Sequence, residues 1–201
     1  MKASPDPAPR NVVSPTRRAV LKGGVAGAAA AGVAPSVLAA RAGESSAEHL
    51  FLLDRATFGF NSEALAELSA MGSEAWLEWQ LDWEGIDDTV AENLVATVCP
   101  TVGMSPYLIH QVYENLPYLP VQYAQMSYAL RGWHSQRQLY WRMCEFWTNV
   151  FSTHVEMMDQ EWFWTPYNQT LVPHALGNFR DLLQASAEGA SMLFYLNQEL
   201  S

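Results

Sequence analysis

The chain has 201 residues, of which 49% are hydrophobic, and its formal net charge is −10. The first 42 residues hold six of the eleven basic residues and one of the twenty-one acidic ones, so residues 43–201 carry a formal charge of −15. A surface this acidic repels phosphate backbones and anionic lipid headgroups, which argues against nucleic-acid and membrane-surface partners. A solvated acidic surface explains the charge, as does the binding of cations or cationic partners, and we favour the first explanation.

Residues 1–42 have the pattern of a targeting segment. The heptapeptide Thr16-Arg-Arg-Ala-Val-Leu-Lys22 precedes an apolar run of Gly, Ala and Val, and small residues that suit cleavage follow. The segment resembles a bacterial twin-arginine (Tat) signal peptide, whose pattern is Ser/Thr-Arg-Arg-x-apolar-Leu-Lys. The motif residues are Arg17, Arg18, Leu21 and Lys22. The resemblance implies recognition by the Tat translocation machinery and a periplasmic or extracellular location.

The apolar run of the targeting segment is too short and too rich in Gly and Ala to span a membrane. We therefore expect a mature chain, residues 43–201, without a transmembrane span. Its two cysteines, Cys99 and Cys144, permit at most one disulfide after export. Because a lone buried cysteine usually behaves as a small hydrophobe, we favour two free thiols. The sequence contains no Cys-x-x-Cys or Cys/His spacing typical of a zinc site.

Helical periodicity accounts for most of the mature chain. The predicted helices cover about residues 49–58, 62–71, 73–81, 88–98, 107–115, 121–131, 137–151, 173–183 and 191–200. We expect Asn61 or Ser62 to cap the second helix, Gly72 to end it, and residues 132–135 to form a turn. No alternation typical of strands occurs, so residues 43–201 are predicted to form an all-α, irregular multi-helix domain. Because nothing follows to cover the apolar residues 192–196, we expect an incomplete core and an N-terminal fragment.

The predicted helix over residues 137–151 organises the rest of the chain. It is apolar almost all round, which predicts burial in a core. Its polar residues recur at i, i+4, i+7 and i+11, so they form one narrow stripe. The stripe consists of Gln138, Arg142, Glu145 and Asn149. An unpaired buried charge costs several kcal/mol, so we expect the stripe either to be paired or to line a pocket.

A second polar group lies near the start of the helix predicted from residue 173. It consists of His174, Asn178, Arg180 and Asp181. A pair between Arg180 and Glu145 would join the two helices, making both groups one structural polar seam, and this is the interpretation that we favour. The alternative is a pocket lined by Gln138, Arg142, Glu145 and His174. In that pocket Arg142, Glu145 and His174 are the candidate catalytic residues.

Two further groups carry candidate chemistry. His154, Glu156 and Asp159 lie within six residues and have metal-ligating side chains, but short acidic loops are common in so acidic a chain. Aromatic residues that fill a core or form a binding platform crowd one region: Trp133, Tyr140, Trp141, Trp147, Trp162, Trp164 and Tyr167. At helical spacing we favour the core. No nucleophile elbow, phosphate-binding loop or dinucleotide fingerprint is present.

Four segments together resemble the bacterial family called domain of unknown function 1800 (DUF1800). They are Leu53-Asp-Arg-Ala-Thr-Phe-Gly59, Ala75-Trp-Leu-Glu-Trp-Gln-Leu81, residues 137–151, and Pro173-His-Ala-Leu-Gly-Asn-Phe-Arg-Asp-Leu-Leu183 followed by Met192-Leu-Phe-Tyr-Leu-Asn197. The resemblance implies an exported, largely helical protein without an established activity, and an exported DUF1501-type protein as a partner. Family members often carry histidines where this chain has Thr148 and Val150, which weakens any metal or proton role at that helix.

These observations lead to two hypotheses about function. We favour an exported, non-catalytic protein that assembles or interacts with a partner in the cell envelope. The alternative is an exported enzyme or a metal- or cofactor-binding protein, with its pocket on the polar stripe. The sequence leaves open whether the protein is an enzyme and names no cofactor.

Overall fold

The computed structural model describes residues 46–154 and 169–198. Within these ranges the chain forms α-helices and two short 3-10 segments, Trp83–Gly85 and Val172–His174, and no β-strand. The helices with both ends in these ranges are α1 (Ser46–Ala56), α2 (Ser62–Met71), α3 (Ser73–Leu81), α4 (Thr89–Val98), α5 (Pro106–Tyr113), α6 (Tyr118–His134), α7 (Gln138–Val150), α8 (Phe179–Glu188) and α9 (Ala190–Tyr195). Residues 169–171 are helical as well. The prediction of an all-α domain is confirmed.

Helices α1, α2 and α3 form a first layer of the core. Asn61 caps α2 by accepting a hydrogen bond from the Ala64 N–H at 2.7 Å. Gly72 has a φ of 81°, a backbone conformation that favours glycine, and it separates α2 from α3 as predicted. The hairpin buries large apolar side chains against α1: Leu53, Leu68, Trp76 and Trp79. Local cap and turn chemistry therefore correctly predicted this hairpin.

The long helix α6 runs through the turn that the sequence predicted at residues 132–135. Gly132 lies inside the helix, and the Phe58 ring packs against it so closely that a Cβ at this position would lie 3.0 Å from Phe58 Cγ. Glycine here allows close approach of a neighbouring ring rather than a turn. The prediction of a turn was wrong because a glycine in the sequence is compatible both with a turn and with a helix position that another side chain approaches closely. The helix ends at Ser135, whose N–H donates to the Arg131 carbonyl.

Helix α7 buries one side and exposes the other. Tyr140, Trp141 and Cys144 are buried, and α1, α3 and α6 pack against the helix. Phe146 and Val150 are 50% and 53% exposed, and Arg142 and Asn149 are also exposed. The expectation of burial almost all round was therefore wrong. Apolar character all round permits burial on any side, but the neighbouring helices decide which side is covered.

The segment after residue 169 differs most from its prediction. The predicted continuous helix from Pro173 is replaced by the 3-10 segment Val172–His174, a turn, and then α8. Asn178 is the N-cap of α8, where its Oδ1 accepts a hydrogen bond from the Arg180 N–H at 2.8 Å. Asparagine competes for backbone donors in this way, which favours a helix start over a helix interior. Leu171 and Leu182 are buried there beside Trp147 and Phe151 of the α7 end.

Two further expectations concern the cysteines and the membrane. Cys99 and Cys144 are both buried and both free, which is the alternative that we favoured. Among the residues that the structure describes, no helix has the length and apolar character that crossing a membrane requires.

Candidate functional site

The polar stripe of α7 lies on an open groove at the surface. Arg142 Nη1 pairs with the Glu145 carboxylate within the same helix, and both side chains are partly exposed to solvent. Together with Asn149 they line a cavity of about 420 Å³, whose other side includes Asp54 and Arg55 of α1. The stripe is therefore both paired and part of a pocket wall, but the pocket is a superficial one between α1 and α7.

The second polar group does not join this groove. Arg180 and Asp181 are exposed on the first turn of α8, and the Arg180 side chain makes no ion pair with any residue in the described ranges. The expected pair between Arg180 and Glu145 therefore does not form, because Glu145 is engaged by Arg142 one turn earlier on its own helix. His174 is half-buried in its 3-10 segment and is not among the residues that line the groove.

Uncharged donors connect α7 to the 3-10 segment instead. The Tyr140 hydroxyl donates a hydrogen bond to the Val172 carbonyl at 2.9 Å, and Trp147 Nε1 donates to the Ala175 carbonyl at 2.9 Å. The predicted connection between these two parts of the chain therefore exists. It is made by aromatic side chains to main-chain carbonyls rather than by an arginine and a carboxylate.

Gln138 belongs to a different part of the protein from the other stripe residues. Its Nε2 donates to the carbonyls of Gly132 and Ser135 at 3.1 and 2.8 Å, and its Oε1 accepts from the Phe58 N–H at 3.3 Å. These three bonds hold the junction between α6 and α7 against the end of α1. The role of Gln138 in this structure is to satisfy main-chain groups, which is what buried amides commonly do.

Two buried polar residues that the sequence did not single out hold the same junction. Asp88 accepts hydrogen bonds from the Ser135 hydroxyl at 2.7 Å and from the Gln136 N–H at 2.8 Å. Gln80 donates to the Gln136 carbonyl at 3.0 Å and accepts from the Leu139 N–H at 3.1 Å. A glutamine between tryptophan and leucine in an amphipathic helix was the only local signal for this role.

A buried arginine links three helices. Arg131 of α6 is 3% exposed, and its Nε and Nη2 donate to Glu92 of α4 at 3.0 and 2.8 Å. Its guanidinium also lies 3.9 Å from the ring centroid of Trp141 of α7. A two-pronged carboxylate contact combined with an aromatic face suits the planar guanidinium. This contact is not the predicted one between Arg180 and Glu145. It joins other residues on other helices, and the Glu92 side chain is 39% exposed.

A second cavity, of about 320 Å³, lies beside the α6–α7 junction. Its wall includes the first turn of α2, with Glu63, and also Glu67, Trp76, Gln80, Trp133 and Gln136. Trp133 is 82% exposed, so its indole is not part of the core. Of the four aromatic residues in this group that the structure describes, Tyr140 and Trp141 are buried, as the core prediction expects, and Trp147 is partly buried. Trp162, Trp164 and Tyr167 lie outside the described residues.

Buried titratable groups surround the Arg131 contact. Burial raises the pKa of the Cys144 thiol to about 12 and that of Tyr128 to about 12. Burial likewise raises the pKa of Tyr140 far above its ordinary value, with the neighbouring Cys144 adding to the effect. A thiol or phenol with so high a pKa is protonated at neutral pH, so neither side chain suits nucleophilic or general-base chemistry.

The predicted metal site falls largely on undescribed residues. His154 is exposed, whereas Glu156 and Asp159 lie outside the described ranges. Within residues 46–154 and 169–198, no group of three or more His, Cys, Asp or Glu side chains is arranged to hold a metal ion.

Comparison with known proteins decides the family. The family model described as "Protein of unknown function (DUF1800)" matches residues 51–201. The chain belongs to the DUF1800 family. No curated protein and no solved structure matches it. The resemblance inferred from the four sequence segments is therefore confirmed, and the DUF1800 description carries no activity with it.

Proposed function

We propose that this DUF1800 protein is an exported, non-catalytic protein of the cell envelope that works by binding a partner protein. The observation that carries the proposal is the outer face of α5. Tyr107 is 70% exposed and Val112 is 58% exposed, and Leu108, Leu116 and Tyr118 beside them in the chain are exposed as well. Leu108 and Val112 are four residues apart, so they share one face of the helix. Exposed apolar residues on one helical face are typical of a protein-binding surface.

The opposite face of α5 is occupied. Ile109 is fully buried, and Tyr113 meets Tyr123 of α6 edge-to-face, with ring centroids 6.2 Å apart. The helix therefore has one face for this protein's own core and one that faces solvent. Because residues 43–201 carry a formal charge of −15, the partner that fits this surface presents apolar side chains surrounded by basic ones.

The polar residues near the centre of the fold support a non-catalytic role. The α6–α7 junction takes up the side-chain hydrogen bonds of three polar residues: Gln80, Asp88 and Gln138. Arg131 is held by Glu92 and by the ring of Trp141. The candidate catalytic residues Arg142 and Glu145 pair with each other at the surface. A general acid or base needs a free and positioned group, and these residues are instead engaged in structural contacts.

The targeting segment supports export by the Tat route, and an exported DUF1501-type protein is the partner that the family resemblance favours. Replacing Arg17 and Arg18 with lysine removes the twin-arginine motif, so the variant should accumulate in the cytoplasm as the uncleaved chain. Immunoblotting of fractionated cells measures this distribution. Equal export of the variant and the unchanged protein would argue against the Tat route.

Site-specific photo-crosslinking in cells tests the partner surface. A photoreactive amino acid at Val112 should yield a crosslinked species that mass spectrometry identifies as one exported protein. The matched control places the same amino acid at Glu78, an exposed position on α3. A DUF1501-type protein crosslinked from Val112 and not from Glu78 would support the whole proposal. Equal crosslinking from both positions, or none from Val112, would contradict it.

One observation favours the second hypothesis, a ligand-binding or enzymatic role. The groove between α1 and α7 contains two arginines and two carboxylates around about 420 Å³, which suits a small polar ligand. Elemental analysis and an absorption spectrum of the exported protein test the cofactor version of this hypothesis. A stoichiometric metal or a chromophore that is lost in an Arg142→Met, Glu145→Gln double variant would favour it over a purely structural role.

A further inference from the structure

We propose that the cavity beside the α6–α7 junction binds an organic cation, a guanidinium or ammonium group, held between the exposed Trp133 ring and the carboxylate of Glu63. The cavity has a volume of about 320 Å³, enough for one amino-acid-sized group. It lies between the first turn of α2 and the residues around the end of α6. This site is separate from the α5 face, and its test does not depend on the proposed partner.

The lining residues divide into those already occupied and those that are free. Gln80, Ser135 and Gln138 form hydrogen bonds to the protein itself and make up the fixed wall. Glu63 and Trp133, in contrast, make no side-chain hydrogen bond or ion pair with the described residues. The free groups are therefore one carboxylate and one aromatic face, which together are the groups that recognise an organic cation.

The charge of the cavity selects the same class of ligand. Glu63 and Glu67 are both lining residues, and no arginine or lysine lines the cavity. An indole ring carries negative potential on its faces, so it attracts a cation that lies over it. The formal charge of −15 on residues 43–201 raises the local concentration of cations around the whole protein. An anionic ligand would meet repulsion from every charged group of the lining.

A hydrogen-bond donor in the wall defines the ligand further. Trp76 lines the cavity and is 1% exposed, and its Nε1–H has no hydrogen-bond partner in the described part of the structure. A buried donor without a partner costs free energy, and a ligand acceptor recovers that cost if it reaches the Nε1–H, which has less than 1 Å² of accessible surface in this structure. A ligand with a cationic group and a carbonyl matches both the free carboxylate and aromatic face and the Trp76 donor. Arginine and lysine residues, free as derivatives or within a peptide, have this chemistry.

Calorimetric titration of the full chain with three capped amino acids tests the proposal. The probes are N-acetyl-arginine amide, N-acetyl-lysine amide, and N-acetyl-citrulline amide, which has nearly the shape of the arginine probe without its charge. We expect the two cationic probes to bind and the citrulline probe to bind about ten-fold more weakly. Binding should weaken with added salt, because charge attraction is screened.

Variants locate the binding at this cavity. Glu63→Gln and Trp133→Leu should each weaken the arginine probe about two- to five-fold. Glu74→Gln changes an exposed carboxylate of α3 that does not line the cavity, so it should leave affinity unchanged. Glu63 and Trp133 are exposed, and unchanged circular dichroism confirms that both variants fold. The indole N–H resonance that disappears in Trp133→Leu should shift when the probe is added to the unchanged protein.

The source of the cation is distinguished by comparing the capped arginine with an acetylated Ala-Arg-Ala amide. Tighter binding of the peptide indicates an arginine carried by a protein segment, and equal binding indicates a small molecule. Equal affinity for arginine and citrulline probes would overturn the proposal. So would wild-type affinity in both variants, or no binding of either cation at about 10 mM, where even a weak site is occupied.

Discussion

The hydroxyl of Tyr140 donates a hydrogen bond to the main-chain carbonyl of Val172 at 2.9 Å. This contact joins the central helix α7 to the 3-10 segment that precedes α8. The Tyr140 ring also stacks on Trp83, with centroids 3.9 Å apart and planes 9° from parallel. One aromatic side chain therefore connects three parts of the fold, with its ring in the core and its hydroxyl on a backbone acceptor.

Tyr140→Phe tests the hydrogen bond alone, because the ring and its stacking remain. We expect the free energy of unfolding to fall by about 1 kcal/mol, since the Val172 carbonyl loses its shortest hydrogen bond and keeps only the one from the Ala175 N–H at 3.2 Å and the long one from the Cys144 thiol at 4.0 Å. Tyr118→Phe is the matched control, because Tyr118 is exposed. Urea unfolding measures both changes. An equal effect of the two substitutions would show that the Tyr140 hydroxyl contributes nothing specific.

Two arginine–glutamate pairs allow a direct comparison between an ion pair with a buried arginine and one with an exposed arginine. Arg131→Met should lower the free energy of unfolding by about 1–3 kcal/mol, because it removes the buried guanidinium over Trp141 and breaks its pair with Glu92, whose side chain is 39% exposed. Arg142→Met breaks the exposed pair with Glu145 on one helix and should cost less than about 1 kcal/mol. Urea unfolding in low and high salt measures both. Equal losses would contradict the structural difference between the two pairs.

We expect Gly132→Ala to destabilise the protein, which is the opposite of the usual effect of this substitution inside a helix. Alanine in place of glycine inside a helix normally stabilises by about 1 kcal/mol. Here the added methyl group meets the Phe58 ring at 3.0 Å, so we expect destabilisation of about 1–3 kcal/mol. In a Phe58→Leu background the penalty should become smaller, because the ring is gone. Thermal unfolding of the unchanged protein, the two single variants and the double variant measures this penalty. A stabilised Gly132→Ala variant would contradict the close packing.

Stability should fall at alkaline pH because several groups have raised pKa values in the folded state. Burial raises the pKa of Cys144 to about 12, whereas the thiol of the unfolded chain titrates near 9.0. The unfolded chain therefore loses protons first as the pH rises. The stability is fully present below about pH 8 and declines between about pH 9 and 12, by up to about 1.4 kcal/mol per pH unit for each group.

Tyr128 should add to this decline, because burial raises its pKa from 10.0 to about 12. Urea unfolding at several values between pH 8 and 11 measures the slope. In Cys144→Ala the slope should be shallower, although the absolute stability at pH 8 also changes. A stability that is constant up to pH 11 would be inconsistent with buried, protonated thiol and phenol groups.

Local chemistry was sufficient to predict the first hairpin. Asn61 has the side chain that caps a helix, and Gly72 can adopt the positive φ that ends one. Both features depend on residues within one turn of the position, so they can be recognised in the sequence. The family membership was also visible there, since its motifs are contiguous stretches, and the family match over residues 51–201 confirmed it.

The contacts that the polar stripe of α7 makes depend on residues far away in the sequence. Gln138 and Glu145 lie on the same stripe of α7, yet Gln138 meets the backbone of Phe58 and Gly132, whereas Glu145 faces solvent beside α1. Periodicity places residues on a common face, but it does not say which neighbour covers each part of that face.

The helical class, the hairpin and the family follow from patterns of residues close together in the chain. The contact of the buried Arg131 with Glu92, the continuation of α6 through Gly132 and the cavity beside Trp133 depend on helices that meet only after folding. Burial and pairing are properties of the assembled packing, because each side chain's cost in free energy is set by the groups that surround it.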